Sequence, residues 1–536
     1  MKTFIFIASI LFIANISNAQ VPKWIWAKTD TAARGNGTPA HAIAATHSRL
    51  LWGEMQKNRV SYGLDMVGDH KFIEYDSAGN YINSTSITGK LELIDAHADS
   101  AGNWYILAQY SDTVNFPGGI QYTRNPYVYP TGPGFFMFRL NSGSLSLAWT
   151  KHIGISSDFV ASVFTITNNS MYLVIDSFNV FNFCSVDLTT GNSTILWQQG
   201  GISNIQSIAA DELGNIYVAG SCAQNTINFN GHTETVPSSF YNNYIMRYKA
   251  SGTFDWAQWM KDISSCNVRT VSLVSNNFIY YSGALKDSMM LGGFSLHKPT
   301  TNNCFMAARL DSFGNVYWVR KQGDTITTTG VTIETVYHAA ITDDSSLYLF
   351  AGVRGAINLG NNVFTTVAPT KTIAAIICIG PDSNAKWVKY VDALSTTPAH
   401  IIASGKYLYV TGNGYDTGSF RFDTISRSVV YGANTPFLAK LDTKADTTHV
   451  DVPLQKIVAV TIMPNPANTI VYINGLQNAG CTVITLRDVY GKVVSAKTYA
   501  APKEKEVLNV SGYQRGLYFI EIKSATTAVV YKLVLE

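Results

Sequence analysis

Short apolar runs recur along this chain, each reached through a polar turn and ended by glycine or another small residue. The clearest is Ile216-Tyr-Val-Ala-Gly220, preceded by Asp211-Glu-Leu-Gly-Asn215. Related segments are Asp99–Ala108, Asn169–Val174, Asn277–Gly283, Ser346–Gly352 and Lys406–Gly412, with a weaker one at Arg49–Gly53. Each run is too short for a stable helix and rich in Tyr, Val, Ile and Leu, which predicts a buried strand. Asp and Asn hydrogen-bond their own backbone in turns, and Gly supplies positive φ, so Asp-x-x-Gly-Asn predicts the turn before the strand.

A second pattern alternates with the first: an apolar strand, a turn, then a strand carrying Trp. Phe305-Met-Ala-Ala-Arg-Leu-Asp311, Gly314-Asn315 and Trp318 show it in full. Copies lie at Phe136–Leu140 with Trp149, Phe183–Leu188 with Trp197, Ile245–Lys249 with Trp256, and Ile376–Gly380 with Trp387. Phe72–Asp76 lacks its Trp, and Phe437–Asp442 has no Trp strand after it. An unmatched Trp strand, Trp24-Ile-Trp-Ala-Lys28, stands at the other end of the chain.

This mismatch predicts a ring. Seven units of four strands close when the N-terminal strand supplies the last one, and no sheet edge is left open. The expected fold is all-β: a seven-bladed β-propeller over residues 20–442 closed by the N-terminal strand. A linker at 443–452 and a small Ig-like β-sandwich at 453–536 follow. The repeats resemble large secreted bacterial propellers with a Gly-Asn-x-Tyr-Val-x-Gly blade signature. Roughly 62 residues per unit exceeds the roughly 40–50 of common propeller blades, so the surplus is expected in loops. These are 109–134, 221–243, 284–303, 353–372 and 413–435, all on the face opposite the Gly-Asn turns.

Composition agrees with strands and turns. Charged residues are 14% and aromatics 12%, which excludes a disordered chain and argues against a helical one. Net charge is +3 without a basic run, so no nucleic-acid footprint is present. Lys2, the apolar run Phe4–Ile16 and Ser17-Asn-Ala19 predict a signal peptide over 1–19, hence export through the periplasm to the surface or medium. The apolar run is too short for a membrane-spanning helix, and no transmembrane segment is expected. The six cysteines show no paired metal spacing. Cys184 and Cys378 lie in apolar runs and are expected as buried thiols.

Candidate chemistry is sparse. The Asp-x-x-Gly-Asn turns lack the alternating oxygen ligands of a calcium loop, so no metal or other cofactor is assigned. No HExxH, GxSxG or phosphate loop occurs, and no catalytic residue is assigned. His97, His338 and His400 fall in or beside predicted first strands, which would line the channel. On the loop face Tyr122, Arg124, Tyr127, Tyr129 and Tyr241 are candidate contacts to a glycan, peptide or protein. The alternative is a polysaccharide hydrolase or lyase with its site at the channel mouth. Asp76-Ser-Ala78, Asp99-Ser-Ala101 and Asp112-Thr-Val114 resemble bacterial O-glycosylation sites, although two coincide with turns.

From Pro453 the pattern becomes about seven short alternating strands, as in a β-sandwich. Ordered motifs run through it: Pro464-Asn465-Pro466-Ala467, Thr485–Val494 with Gly491-Lys492, Leu508–Ser511, Gly516-Leu-Tyr518-Phe-Ile, and Tyr531-Lys532 to the end. This module resembles the type A C-terminal sorting domain of the Bacteroidetes type IX secretion system. The resemblance implies that residues 453–536 address the protein to that machinery, its expected partner, and are commonly removed at the surface.

Overall fold

The computed structural model describes most of the chain from Pro22 to Glu536. It leaves out, among shorter stretches, 31–42, 124–133, 156–162, 237–241, 261–266, 298–303, 322–326, 445–460, 475–481 and 490–492. The expected signal peptide lies outside the described residues. Every described regular element is a β-strand. The chain forms two compact units, Met1–Asp446 and Thr447–Glu536.

In the first unit the two sequence patterns interleave into antiparallel four-stranded sheets. The plainest runs Asn204–Ala210, Ile216–Cys222, Asn242–Tyr248 and Phe254–Met260, paired in chain order. We call these strands inner, Tyr, Arg and Trp strands. The same order recurs in sheets beginning at Val163, Asn267 and Ile333. Burial follows from composition: Leu347–Val353 and Ile373–Ile379 are buried at every residue, as central strands covered on both faces must be.

The last sheet takes its fourth strand from the other end of the chain. Lys23–Thr29 pairs antiparallel with Thr435–Asp442, beyond which lie Tyr407–Tyr415 and Ser395–Ser404. Trp26 stands opposite Lys440, the register in which Trp149 faces Arg139, Trp256 faces Arg247 and Trp318 faces Arg309. The orphan Trp strand thus pairs in the same register as the other Trp strands.

The start of the chain departs from the expected separate units. A nine-stranded sheet contains two four-strand sets that share one 18-residue strand, Tyr81–Ala98. No Asp-Gly-Asn turn interrupts this segment, so one strand serves both sets. Gly89 allows it: its φ is +132°, and a Cβ there would lie 2.3 Å from the Thr113 carbonyl oxygen.

The expected loops also differ from open loops. Small hairpins fill several of them: Thr226–Phe229 with His232–Thr235, Met289–Leu291 with Phe294–Leu296, Ala356–Leu359 with Asn362–Thr365, and Ser419–Phe422 with Ile425–Ser428. Their period-two pattern buries Ile227 and Phe229, or Phe420 and Phe422, in cores shared with the main sheets. The extra length of each repeat is therefore largely packed structure.

The turns join neighbouring sheets. Asp99 Oδ1 accepts the Asn103 backbone N–H (2.8 Å) and Oδ2 accepts the Asn103 side-chain N–H (2.9 Å) and the Tyr105 hydroxyl (2.9 Å). Asp211 does the same with Asn215 and Tyr217. Both oxygens are thus engaged by the turn itself. A turn carbonyl of one sheet then receives donors from the preceding sheet. Trp256 Nε1 and Arg247 donate to the Ser312 carbonyl (3.0 and 2.9 Å), and Trp318 Nε1 and Arg309 to the Pro381 carbonyl (3.1 and 2.9 Å). Trp149 and Arg139 reach the Leu188 carbonyl in the same way. At the chain's start Trp26 and Lys440 both donate to the Ser77 carbonyl, at 3.4 and 2.7 Å.

Where the Trp copy is missing, the polarity of this clamp reverses. Fully buried Glu74 accepts from the Gly143 N–H (2.8 Å), the Ser142 hydroxyl (3.1 Å) and Arg49 (2.9 Å).

The second unit holds two sheets around one apolar core that includes Val471, Ile473, Ile484, Leu486, Ile520 and Leu533.

Candidate functional site

The inner strands carry the main convergence of ionisable groups. Several have a β-bulge at one place, which re-aims the next side chain. After it come Asp95, Ser207, Thr270, His338 and His400. Each pairs with the residue two beyond the repeat tyrosine of its neighbour: Leu107, Ala219, Ser282, Phe350 and Thr411. The bulge-free strand puts Val163 opposite Val174 at the corresponding position. Inner strands of successive sheets pack side by side, from Val163–Thr167 through to Ser395–Ser404, which also packs on Ile43–Ala45.

Three of these strands bring His97, His338 and His400 together with Asp95. His97 Nε2 lies 3.2 Å from Asp95 Oδ2, and His400 Nε2 lies 3.7 Å from Asp95 Oδ1. The His338 and His400 rings are 3.8 Å apart between centroids and inclined by 35°. Phe164 meets the His97 ring edge-on at 4.6 Å. The His400 side chain is 10% exposed, Asp95 24% and His97 32%, so the cluster grades from buried to accessible. Burial holds the His400 imidazole below the ordinary histidine value despite the attraction of Asp95. Burial also works to raise Asp95, but His97, His400 and His338 together outweigh it and keep its carboxyl below the usual range. The sequence placed the three histidines on equivalent strands. Asp95 was missed, because nothing marks the bulge that turns it toward them.

The arrangement can hold and exchange protons. Among the described residues no group of three or more His, Cys, Asp or Glu side chains has the geometry to hold a metal ion. A separate cavity of about 300 Å³ opens between two sheets, lined by Trp149, Lys151, His152 and Asn192 among others. Lys151 there donates to the Asn192 side chain at 2.9 Å.

Of the loop-face residues, Tyr122 is partly buried, its ring stacked on Phe136 at 5.5 Å and edge-on to Tyr110 at 5.4 Å. Arg124, Tyr127, Tyr129 and Tyr241 lie outside the described residues. Ser100 is exposed and Ser77 half-buried in their turns.

In the C-terminal unit, Asn465 sits between two prolines that follow cis peptide bonds. Its Oδ1 accepts the Val534 N–H at 2.9 Å and its Nδ2 donates to the Lys532 carbonyl at 2.7 Å. Ala467 continues the pairing: its N–H donates to the Val534 carbonyl (2.8 Å) and its carbonyl accepts the Glu536 N–H (2.9 Å). The Pro464–Ala467 motif is thereby stitched to the last strand, Ala528–Leu535. Lys532 contributes its backbone while its side chain is exposed. Gly516, at φ +146°, opens the adjacent strand, and the Tyr518 hydroxyl donates to the Gln514 carbonyl at 2.9 Å. Gly491 and Lys492 lie outside the described residues.

These features define an all-β repeat protein carrying a separate β-module at its C-terminus. Residues 461–536 match the secretion system C-terminal sorting domain, and residues 196–221 match a beta-propeller repeat. The chain is therefore a type IX secretion substrate with a propeller-like region, exported to the cell surface or secreted. No helix among the described residues is long and apolar enough to cross a membrane. No curated protein matches the chain. Among solved structures it is similar to quinohemoprotein alcohol dehydrogenase from Comamonas testosteroni, at 9% identity, covering 80% of this chain and 77% of that one, TM-score 0.33. It is also similar to a chain of the nidogen/laminin complex (14%, 55% and 86%, TM-score 0.30) and to TolB from Acinetobacter baumannii (11%, 71% and 78%, TM-score 0.29).

Proposed function

We propose that residues 20–442 form a seven-bladed β-propeller that binds an extracellular glycan, peptide or protein through its long-connection face. Residues 443–452 act as the linker, and the module from 453 onward delivers the protein to its address. The observation that carries the ring is the donation of Trp26 and Lys440 to the Ser77 carbonyl, which repeats between the last and first sets the clamp joining interior neighbours. Counting the shared strand in both of its sets, the four-strand sets among the described residues number seven. The packed hairpins support binding on that face, because they form rigid bases from which short loops project, and recognition commonly resides on loops held by a scaffold.

One observation favours a second reading, a polysaccharide hydrolase or lyase. Asp95 and His97 form a carboxylate–imidazole pair at 3.2 Å with His97 partly accessible, the geometry of an oriented general base. A glycan array probed with the secreted chain, followed by mass analysis of any glycan retained, separates the two. Retention of intact glycan supports binding. Cleavage that His97→Gln abolishes supports the enzyme. If nothing is retained or cleaved, a protein or peptide ligand remains, and cross-linking on the native cell surface tests it.

A further inference from the structure

We propose that the Asp95–His97–His338–His400 cluster is a proton-operated catch between the inner strands Tyr81–Ala98, Ile333–Ile341 and Ser395–Ser404. Three strands that share no backbone hydrogen bonds with one another are joined here through side chains. The imidazoles of His338 and His400 lie near van der Waals distance, with ring centroids 3.8 Å apart. Neutral rings pack at that separation, whereas two imidazolium ions there repel. Asp95 faces His97 with one oxygen and His400 with the other. Its single negative charge cannot neutralise both of these once they are imidazolium ions.

Few charged residues lie on the strands packed around His400. The other elements packed on Ser395–Ser404 are Ile43–Ala45, Leu347–Val353, Ile373–Ile379 and Tyr407–Tyr415, and none contains Asp, Glu, Lys or Arg. Glu334 lies on the His338 strand, and Arg269 on the inner strand packed beside it. On the Asp95 strand, Glu92 accepts from Gln109 at 2.5 Å, and Asp69 of the next strand accepts the Gly89 N–H. Val163–Thr167, packed against that strand, has no ionisable residue.

The direction follows from linkage. His400 is held below its unfolded value, so the unfolded or opened chain binds more protons below about pH 6.5. Closure therefore weakens as pH falls from about 6.5 through the folded value, and holds above that window. Asp95, also held low, extends the loss only at more acid pH.

Hydrogen exchange of the secreted wild-type chain at pH 7.5 and 5.0, corrected for intrinsic rates, tests the catch. Protection of residues 395–404 and 333–341 should fall about tenfold or more at pH 5.0. The hydrogen-bonded strand Ile216–Cys222, whose main packing partners do not include the three cluster strands, serves as reference and should hold. A His338→Phe/His400→Phe variant keeps two stacked rings and removes both protons, so its protection should not depend on pH in this range. His152→Gln, a change at a half-buried histidine elsewhere, should retain the wild-type dependence. Uniform pH-dependence across all sheets in wild type overturns the proposal, even if the double variant fails to fold. A pH-dependence that survives in a folded double variant overturns it equally.

Discussion

Trp26→Ala tests the central structural claim, that the N-terminal strand does the work of an interior Trp strand. The Trp26 ring is 7% exposed, packs near Tyr409 (6.1 Å) and Tyr75 (6.5 Å), and covers the turn at Gly79. Removing a buried Trp side chain costs about 3–5 kcal/mol through lost burial and the cavity left behind. The indole hydrogen bond contributes little of this. At 3.4 Å it is long, and the Ser77 carbonyl keeps Lys440 at 2.7 Å, so no acceptor is orphaned. Trp26→Phe should therefore cost only about 1–2 kcal/mol, mostly lost apolar area. Trp318 is the internal standard: also 7% exposed, with Nε1 3.1 Å from the Pro381 carbonyl. Urea unfolding of the secreted chain, followed by circular dichroism, compares the variants. Trp26→Ala and Trp318→Ala should agree within about 1 kcal/mol. If Trp318→Ala costs about 3 kcal/mol or more and Trp26→Ala under about 1 kcal/mol, the N-terminal strand does not do the work of an interior Trp strand and the reasoning fails.

Three further outcomes follow from local geometry. Gly314→Ala should cost about 1–3 kcal/mol in the same assay, because φ is +87° and the new Cβ would lie 2.9 Å from the Trp256 ring. Gly118→Ala, at φ +84° with no heavy atom within 4 Å of its Cβ, should cost only the backbone part, about 1 kcal/mol; equal losses would discount the Trp contact. Burial pushes the Cys184 thiol up to about 11 and Cys378 up to about 12, so neither should react with a disulfide reagent at pH 8 until the chain unfolds. Mass analysis showing modification of either in the folded protein would refute their inert placement. Asn465→Ala removes two hydrogen bonds to the last strand and should destabilise the C-terminal unit by about 1–2 kcal/mol. Hydrogen exchange at Val534 reads this directly, and an unchanged rate would show that the asparagine does not hold the strand.

Much of the fold was legible because its devices are local and repeated. Asp211-x-x-Gly-Asn215 announces a turn whose carboxylate bonds all lie within six residues, so the chemistry is visible in one short window. The missing Trp strand after Asp442 and the surplus one at Trp24–Lys28 could be matched because both ends of an antiparallel pair were present in the text. What failed was local as well. Separate units require two strands where Tyr81–Ala98 is one, three times the usual strand length of about five or six residues. Only the close approach of the Thr113 carbonyl shows that Gly89 lets one strand bend without ending. The hairpins were hidden because four-residue strands such as Thr226–Phe229 carry just two apolar positions.

The central cluster was half legible for a different reason. Its members are drawn from residues 95 to 400, so no linear spacing relates them; only the repeat does. Aligning the repeat tyrosines Tyr105, Tyr348 and Tyr409 puts His97 directly opposite its tyrosine, but His338 and His400 two residues beyond theirs. At that offset the first strand carries Asp95. Equivalence by repeat thus groups Asp95 with His338 and His400, whereas equivalence by residue type groups the three histidines. The structure satisfies both, because His97 is two residues from Asp95 and so on the same side of the strand. One carboxylate and two imidazoles occupy equivalent positions of the repeat, and His97 adds a more accessible imidazole to the same charge. Residue chemistry alone would have found the bases and missed the acid that orders them.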